Sequence, residues 1–133
     1  MTGRSEVVIT RAEERERQMW DDPVRGSVSW FTLFSKDRTP TDSMCAGVAE
    51  IEPGGGSLQT HRHEQPEIYF ITEGTGILMI EDREIAVSSG SAVFIPGNVE
   101  HGLRNESQSI VRLFYVFPTG AFGDVVYRFG GEG

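Results

Sequence analysis

His61 and His63 lie two residues apart, Glu67 follows four residues later, and His101 is the one other histidine of the chain. In an extended segment, side chains two apart share a face, so both imidazoles of the first pair can converge on one point. Imidazole nitrogen and carboxylate oxygen together form a donor set that first-row divalent metals accept. Metal binding is therefore the chemistry first expected here, and the rest of the chain must supply a frame that gathers these groups.

That frame reads as β-structure. From Ser27 onward, short segments rich in Val, Ile, Phe and Tyr alternate with Gly, Pro, Asp, Asn and Ser, the signature of a sandwich or barrel. Strands are predicted at 27–34, 44–52, 56–63, 67–73, 76–81, 84–87, 91–95, 101–104, 109–117 and 125–129. Turn signals separate them, among them Thr39-Pro-Thr-Asp42, Pro53-Gly-Gly-Gly56 and Pro96-Gly-Asn98. The amino-terminal stretch differs. Thr10 to Glu13 has capping-box spacing and is followed by good helix formers, so a short charged helix is expected to end near Trp20, stopped by Asp21-Asp22-Pro23. Met19 and Trp20 would anchor it to the body. The organisation expected is an N-terminal segment at 1–26 containing that helix, one barrel domain at 27–129 and a flexible tail at 130–133.

Composition narrows the function classes. At 133 residues, one domain can bury roughly two-thirds of its unfolded surface. With 20 acidic against 12 basic residues and a formal charge of -8, the chain lacks the basic face that nucleic acid or an anionic membrane requires. The single cysteine, Cys45, permits no internal disulfide and reads as a small buried apolar residue. Without a signal-type apolar run or 18 consecutive apolar residues, a soluble, cytoplasmic protein is expected.

Two stretches carry a family resemblance. The first runs glycine, five residues, His-x-His, three residues, Glu, six residues, Gly, met at Gly55, His61, His63, Glu67 and Gly74. The second runs glycine, five residues, Pro-x-Gly, two residues, His, three residues, Asn, met at Gly90, Pro96, His101 and Asn105, with Asn98 in place of its glycine. Together they resemble the paired motifs of the cupin superfamily. Asparagine tolerates positive φ, so the turn at Asn98 is expected to survive. The resemblance implies an all-β fold, a single jelly-roll-like cupin barrel of two packed antiparallel sheets. It also implies one divalent metal ion per chain (Fe, Mn, Ni, Co or Zn) held inside by His61, His63, Glu67 and His101, and a small-molecule substrate. Three imidazoles and one carboxylate leave coordination positions open, as catalysis requires.

Strand parity counted from Glu67 turns Tyr69 and Ile71 inward and Ile68 and Phe70 outward. Two large apolar residues outside a small barrel need cover, and a homodimer is the preferred source, a state common in the family. In 109–117, parity places Val111, Leu113, Tyr115 and Phe117 inward and Arg112 outward. Arg62 and Arg104 should also face out. The glycine run at 53–56 reads as a turn into the metal strand, because no lysine or helix start follows it.

Three reaction classes are compatible with an open divalent ion beside one carboxylate, a site of local charge about +1 that suits a carboxylate-bearing substrate. The first is a lyase, with Glu67 and Tyr69 as catalytic candidates and Tyr69 abstracting a proton beside a carboxylate. A neighbouring cation would favour its tyrosinate. The Glu-x-Tyr arrangement is similar to that of short cupin-type dimethylsulfoniopropionate lyases, which cleave a sulfonium substrate by β-elimination. Aromatic faces from Trp30, Phe70 or Phe114 could hold the sulfonium. The second class is a non-haem iron dioxygenase, and the third a non-catalytic metal or small-molecule binder.

Overall fold

The computed structural model describes residues 7–130. Eleven strands form one continuous antiparallel sheet that curls on itself: β1 (Arg17–Asp22), β2 (Gly26–Phe34), β3 (Cys45–Ile51), β4 (Gly56–Arg62), β5 (Glu67–Glu73), β6 (Thr75–Ile80), β7 (Arg83–Ser88), β8 (Ala92–Ile95), β9 (His101–Asn105), β10 (Val111–Phe117) and β11 (Arg128–Phe129). The hydrogen-bonded order is β7-β6-β9-β4-β2-β3-β10-β5-β8, with β1 added to β2 and β11 to β4. The all-β barrel expected from the sequence is the fold observed.

The amino-terminal helix is not. Among the described residues there, helical structure is a single 3-10 turn at Ala12–Glu14, and Arg17–Asp22 forms β1, paired along its length with β2 from Gly26 to Phe31. Alternation explains the difference. Gln18 and Trp20 turn toward the body while Arg17, Met19 and Asp21 face water, a period of two that overrides the helix propensity of the same residues. Trp20 does anchor, meeting Trp30 edge-on at 5.0 Å, whereas Met19 is exposed. The predicted tail retains Gly130 within the structure, and residues 131–133 lie outside the described residues.

The core fills the inside of the curl. β10 contributes Val111, Leu113, Tyr115 and Phe117, all buried, between β3 and β5. Cys45 joins them, and burial pushes its thiol up to about 11. On the outer face, Ile68 stands opposite both Phe94 and Val116, and Phe70 opposite Phe114. Ile68, Phe70 and Phe94 remain exposed.

Two turns hold the metal-motif strands in register. Gly74 has φ +86°, and a Cβ there would run into the Ile110 carbonyl, so only glycine lets the β5–β6 turn pass beneath the chain entering β10. Asn98 takes φ +65°, the left-handed turn expected of it. Its amide donates to the His63 carbonyl at 2.7 Å and ties the loop before β9 to the end of β4. Asn105 is wholly buried: its amide donates to the carbonyls of Ile51 (2.9 Å) and Ser109 (2.8 Å), and its oxygen accepts from the Ser107 amide.

Candidate metal centre

The last residues of β4 and the first of β9 face each other, with His61 opposite His101. His63 lies just beyond β4, and the break at Glu64-Gln-Pro66 lets the chain turn before Glu67 opens β5. A bulge in β4 between Leu58 and His61 matters as much as the motif. Leu58 pairs with Leu103 and His61 with His101, so three residues of one strand span two of the other, and both Leu58 and His61 reach the interior. Gly102 makes room for it, since a Cβ there would press on the Leu58 carbonyl at 2.8 Å.

All three histidines are fully buried, and each ring is oriented by its own backbone. The Nδ1–H groups of His61, His63 and His101 donate to the carbonyls of Gln59 (2.8 Å), Gln65 (2.9 Å) and Val99 (2.8 Å). A carbonyl can only accept, so each Nδ1 carries a proton and each ring turns its Nε2 inward. Burial, then the neighbouring His101, pushes His61 down to about 2, which keeps that ring neutral. The ligand atoms of the three histidines lie within 4.8 Å of one another.

Glu67 completes the cluster. Its Oε1 is 3.1 Å from His63 Nε2 and 3.4 Å from His101 Nε2, and the carboxylate is buried. His61 Nε2 and His101 Nε2 have no hydrogen-bond partner among the described residues. Two orphaned ring nitrogens that converge with a buried carboxylate are unfavourable unless a cation sits among them, so the residues present fit a divalent metal ion.

Beside the cluster, the barrel encloses a small cavity of about 40 Å³. Its walls are mainly apolar and aromatic, and among the described residues Glu67 is the only lining carboxylate and no Lys or Arg lines it. Tyr69 is buried in the wall with its ring centre 6.1 Å from that of His101. Burial, then the charge of Glu67, holds its hydroxyl well above the ordinary tyrosine value. Tyr115 lines the same space, but its hydroxyl sits against Gly47 and hydrogen-bonds Thr32, which suits a packing role. Trp30 also lines the cavity, and its buried indole N–H has no partner among the described residues.

Two of the three aromatic residues proposed to face a ligand are elsewhere. Phe70 and Phe114 stand on the outer face, because each alternates with an inward neighbour, Tyr69 and Tyr115. Tyr127 is the residue sequence reasoning missed. Its ring lies 4.8 Å from that of His61 and 5.2 Å from that of His63. The alternation of Val125, Tyr127 and Phe129 could have revealed it, although only Arg128–Phe129 forms a strand there. Arg62 is exposed, and Arg104 is turned outward to Glu84 and Glu106.

Residues 47–117 match the Cupin_2 family, described as a cupin domain. This chain belongs to the cupin family. It is 37% identical over 108 residues to dimethylsulfoniopropionate lyase DddW of Ruegeria pomeroyi, an overlap of 81% of this chain and 70% of that cupin relative. Among solved structures, it resembles the polyketide cyclase RemF of Streptomyces resistomycificus, with TM-score 0.79 and 21% identity over 94% of this chain and 86% of that one. A predicted oxalate decarboxylase of Thermotoga maritima gives TM-score 0.73 and 20% identity over 84% and 99%. At these identities the two structures share the cupin fold, and nothing about reaction follows from them. No helix among the described residues is long and apolar enough to cross a membrane.

Proposed function

We propose that this cupin is a metal-dependent lyase that eliminates across a small carboxylate substrate of the dimethylsulfoniopropionate kind, with His61, His63, Glu67 and His101 as ligands of one divalent ion. The observation that carries the reading is the convergence of His61, His63 and His101 Nε2 with Glu67 Oε1 in a buried space beside a cavity lined by Tyr69. The similarity to DddW supports the choice of substrate.

When bound, the ion supplies Lewis acidity that polarises the substrate carboxylate and raises the acidity of the adjacent C–H. Tyr69 is the base. Its tyrosinate takes the proton from the carbon next to the carboxylate, that electron pair forms the C=C bond, and the C–S bond breaks with its electrons going to sulfur. The products are an unsaturated carboxylate and a neutral thioether, and Tyr69 returns its proton to solvent. Burial and Glu67 both oppose the tyrosinate, so the cation has to outweigh them. The unpartnered indole N–H of Trp30 offers a donor to a substrate oxygen, and the aromatic walls exclude water and suit an onium group.

The test is metal analysis of the purified chain followed by assay of dimethylsulfide release from dimethylsulfoniopropionate without oxygen. Turnover under nitrogen supports the lyase. Activity that appears only with oxygen assigns the site to a dioxygenase, and retained metal without turnover on a panel of small carboxylates assigns it to binding. The exposed face of Ile68, Phe70 and Phe94 supports a homodimer, and the single buried thiol supports a reducing, cytoplasmic setting.

A further inference from the structure

The cavity beside the histidines is closed on most sides. Of the residues that line it, Trp20, Leu58, Phe122 and Tyr127 reach the surface, and the others are buried. On the outside, a separate depression is lined by Trp20, Val24, Arg25, Val125, Tyr127 and Phe129. Trp20 and Tyr127 therefore form a wall one side chain thick, with the interior on one side and open solvent on the other. Their rings meet edge-on at 5.1 Å.

We propose that ligands reach the cavity through this wall, between Trp20 and Tyr127, and that Arg25 holds Trp20 across the opening, making Trp20 a determinant of what is admitted. The proposal rests on the cavity being the ligand site of the reading above. Three features support it. Trp20 belongs to β1, which pairs with β2 alone among the described residues, so its displacement disturbs one ladder and not two. The Arg25 guanidinium lies over the Trp20 ring at 4.9 Å, and its Nε donates to Asp22 Oδ2 at 2.8 Å. Asp22 Oδ1 in turn accepts from the amides of Val24 (2.9 Å) and Arg25 (2.8 Å), so the turn that carries the arginine is itself pinned. The opposite wall offers no comparable route, because Tyr69, Leu113 and Tyr115 lie in β5 and β10, strands paired on both edges.

The experiment measures access directly. The full chain is loaded with ferrous iron under nitrogen, and the rate at which neutral 1,10-phenanthroline extracts the metal is followed by the colour of its complex. Trp20→Ala should extract about tenfold faster, because its edge contacts with neighbouring rings are lost. Arg25→Gln should extract about threefold faster, the scale of one exposed cation–π contact. Met19→Ala, on the exposed face of the same strand, should match the parent. Melting temperatures identify variants that have not folded, and if Trp20→Ala is one of them, Trp20→Phe and Arg25→Gln carry the test. Parent-like rates in folded Trp20 and Arg25 variants would overturn the proposal, as would an equal acceleration in Met19→Ala. If the chain retains no iron, the metal reading fails separately, and alkylation by iodoacetamide reads the same access. All three histidines belong to the site, so their modification, followed by mass spectrometry, should accelerate in the same variants, and unchanged rates would reject the doorway.

Discussion

His63 Nε2 and Glu67 Oε1 lie 3.1 Å apart, and the Nδ1 proton of His63 is already committed to the Gln65 carbonyl. Nε2 and Oε1 therefore need a proton or a cation between them. Glu67→Gln would place an amide donor against His63 Nε2 and remove that need. The metal-free variant should melt about 2–5 °C above the metal-free parent, the shift expected for one recovered buried interaction in a domain of this size. Metal should then raise its melting temperature less than it raises that of the parent. Differential scanning with metal and with chelator gives all four values, and a metal-free variant that melts below the parent would show that a proton already satisfies the pair.

His101→Ala should remove metal binding and leave the barrel folded, because the strand ladders on both sides of β9 do not pass through the side chain. Metal content falls to background while the far-ultraviolet dichroism stays that of the parent. Equal metal content in variant and parent would refute the ligand assignment.

Tyr69→Phe should keep the metal and lose elimination. General-base catalysis contributes about 10²–10⁴-fold, so dimethylsulfide release should fall by at least two orders of magnitude. The ring still fills its place in the wall, which separates chemistry from packing. Unchanged turnover would take Tyr69 out of the mechanism.

Ile68→Lys should convert a dimer to a monomer. Ile68 sits among Phe94, Val116 and Phe70 on the outer face, and a lysine there places charge at the centre of the apolar surface. Sedimentation velocity on parent and variant decides it, and a monomeric parent would reject the dimer itself.

Cys45 should resist a thiol reagent at pH 8 until the chain unfolds, since burial lifts its thiol to about 11 from an ordinary 9.0. The folded chain keeps the proton longer than the unfolded chain does. This contribution is therefore complete below pH 9 and is lost as pH rises toward 11, on the order of 2 kcal/mol. Denaturant titrations at pH 8 and 10.5 on the parent and Cys45→Ala should show the larger loss in the parent.

Most of the barrel could be read in the chain because its strands alternate and its turns are marked by residues such as Gly74 and Asn98, whose backbone angles other residues resist. Parity from Glu67 placed Tyr69 and Ile71 inside and Ile68 and Phe70 outside, as observed. Where alternation was weak or interrupted, the sequence misled. Arg17–Asp22 carries helix formers, and its period of two becomes decisive only against the waiting edge of β2. The bulge beside Gly102 turns Leu58 and His61 to one side although they are three apart, which no count by twos could foresee. Tyr127 lies in a nearly irregular segment, so its alternation with Val125 and Phe129 marks it only as inward, and its approach to His61 comes from tertiary packing.

The pairing of His61 with His101 also sets a timetable. Forty residues of chain separate two side chains that end on neighbouring positions of one ladder, and contacts so distant in sequence form late and slowly. An ion captured there would fasten β4 to β9 once that ladder has closed. It could leave quickly only by the path a ligand takes; otherwise its lifetime in the protein would be the lifetime of the ladder.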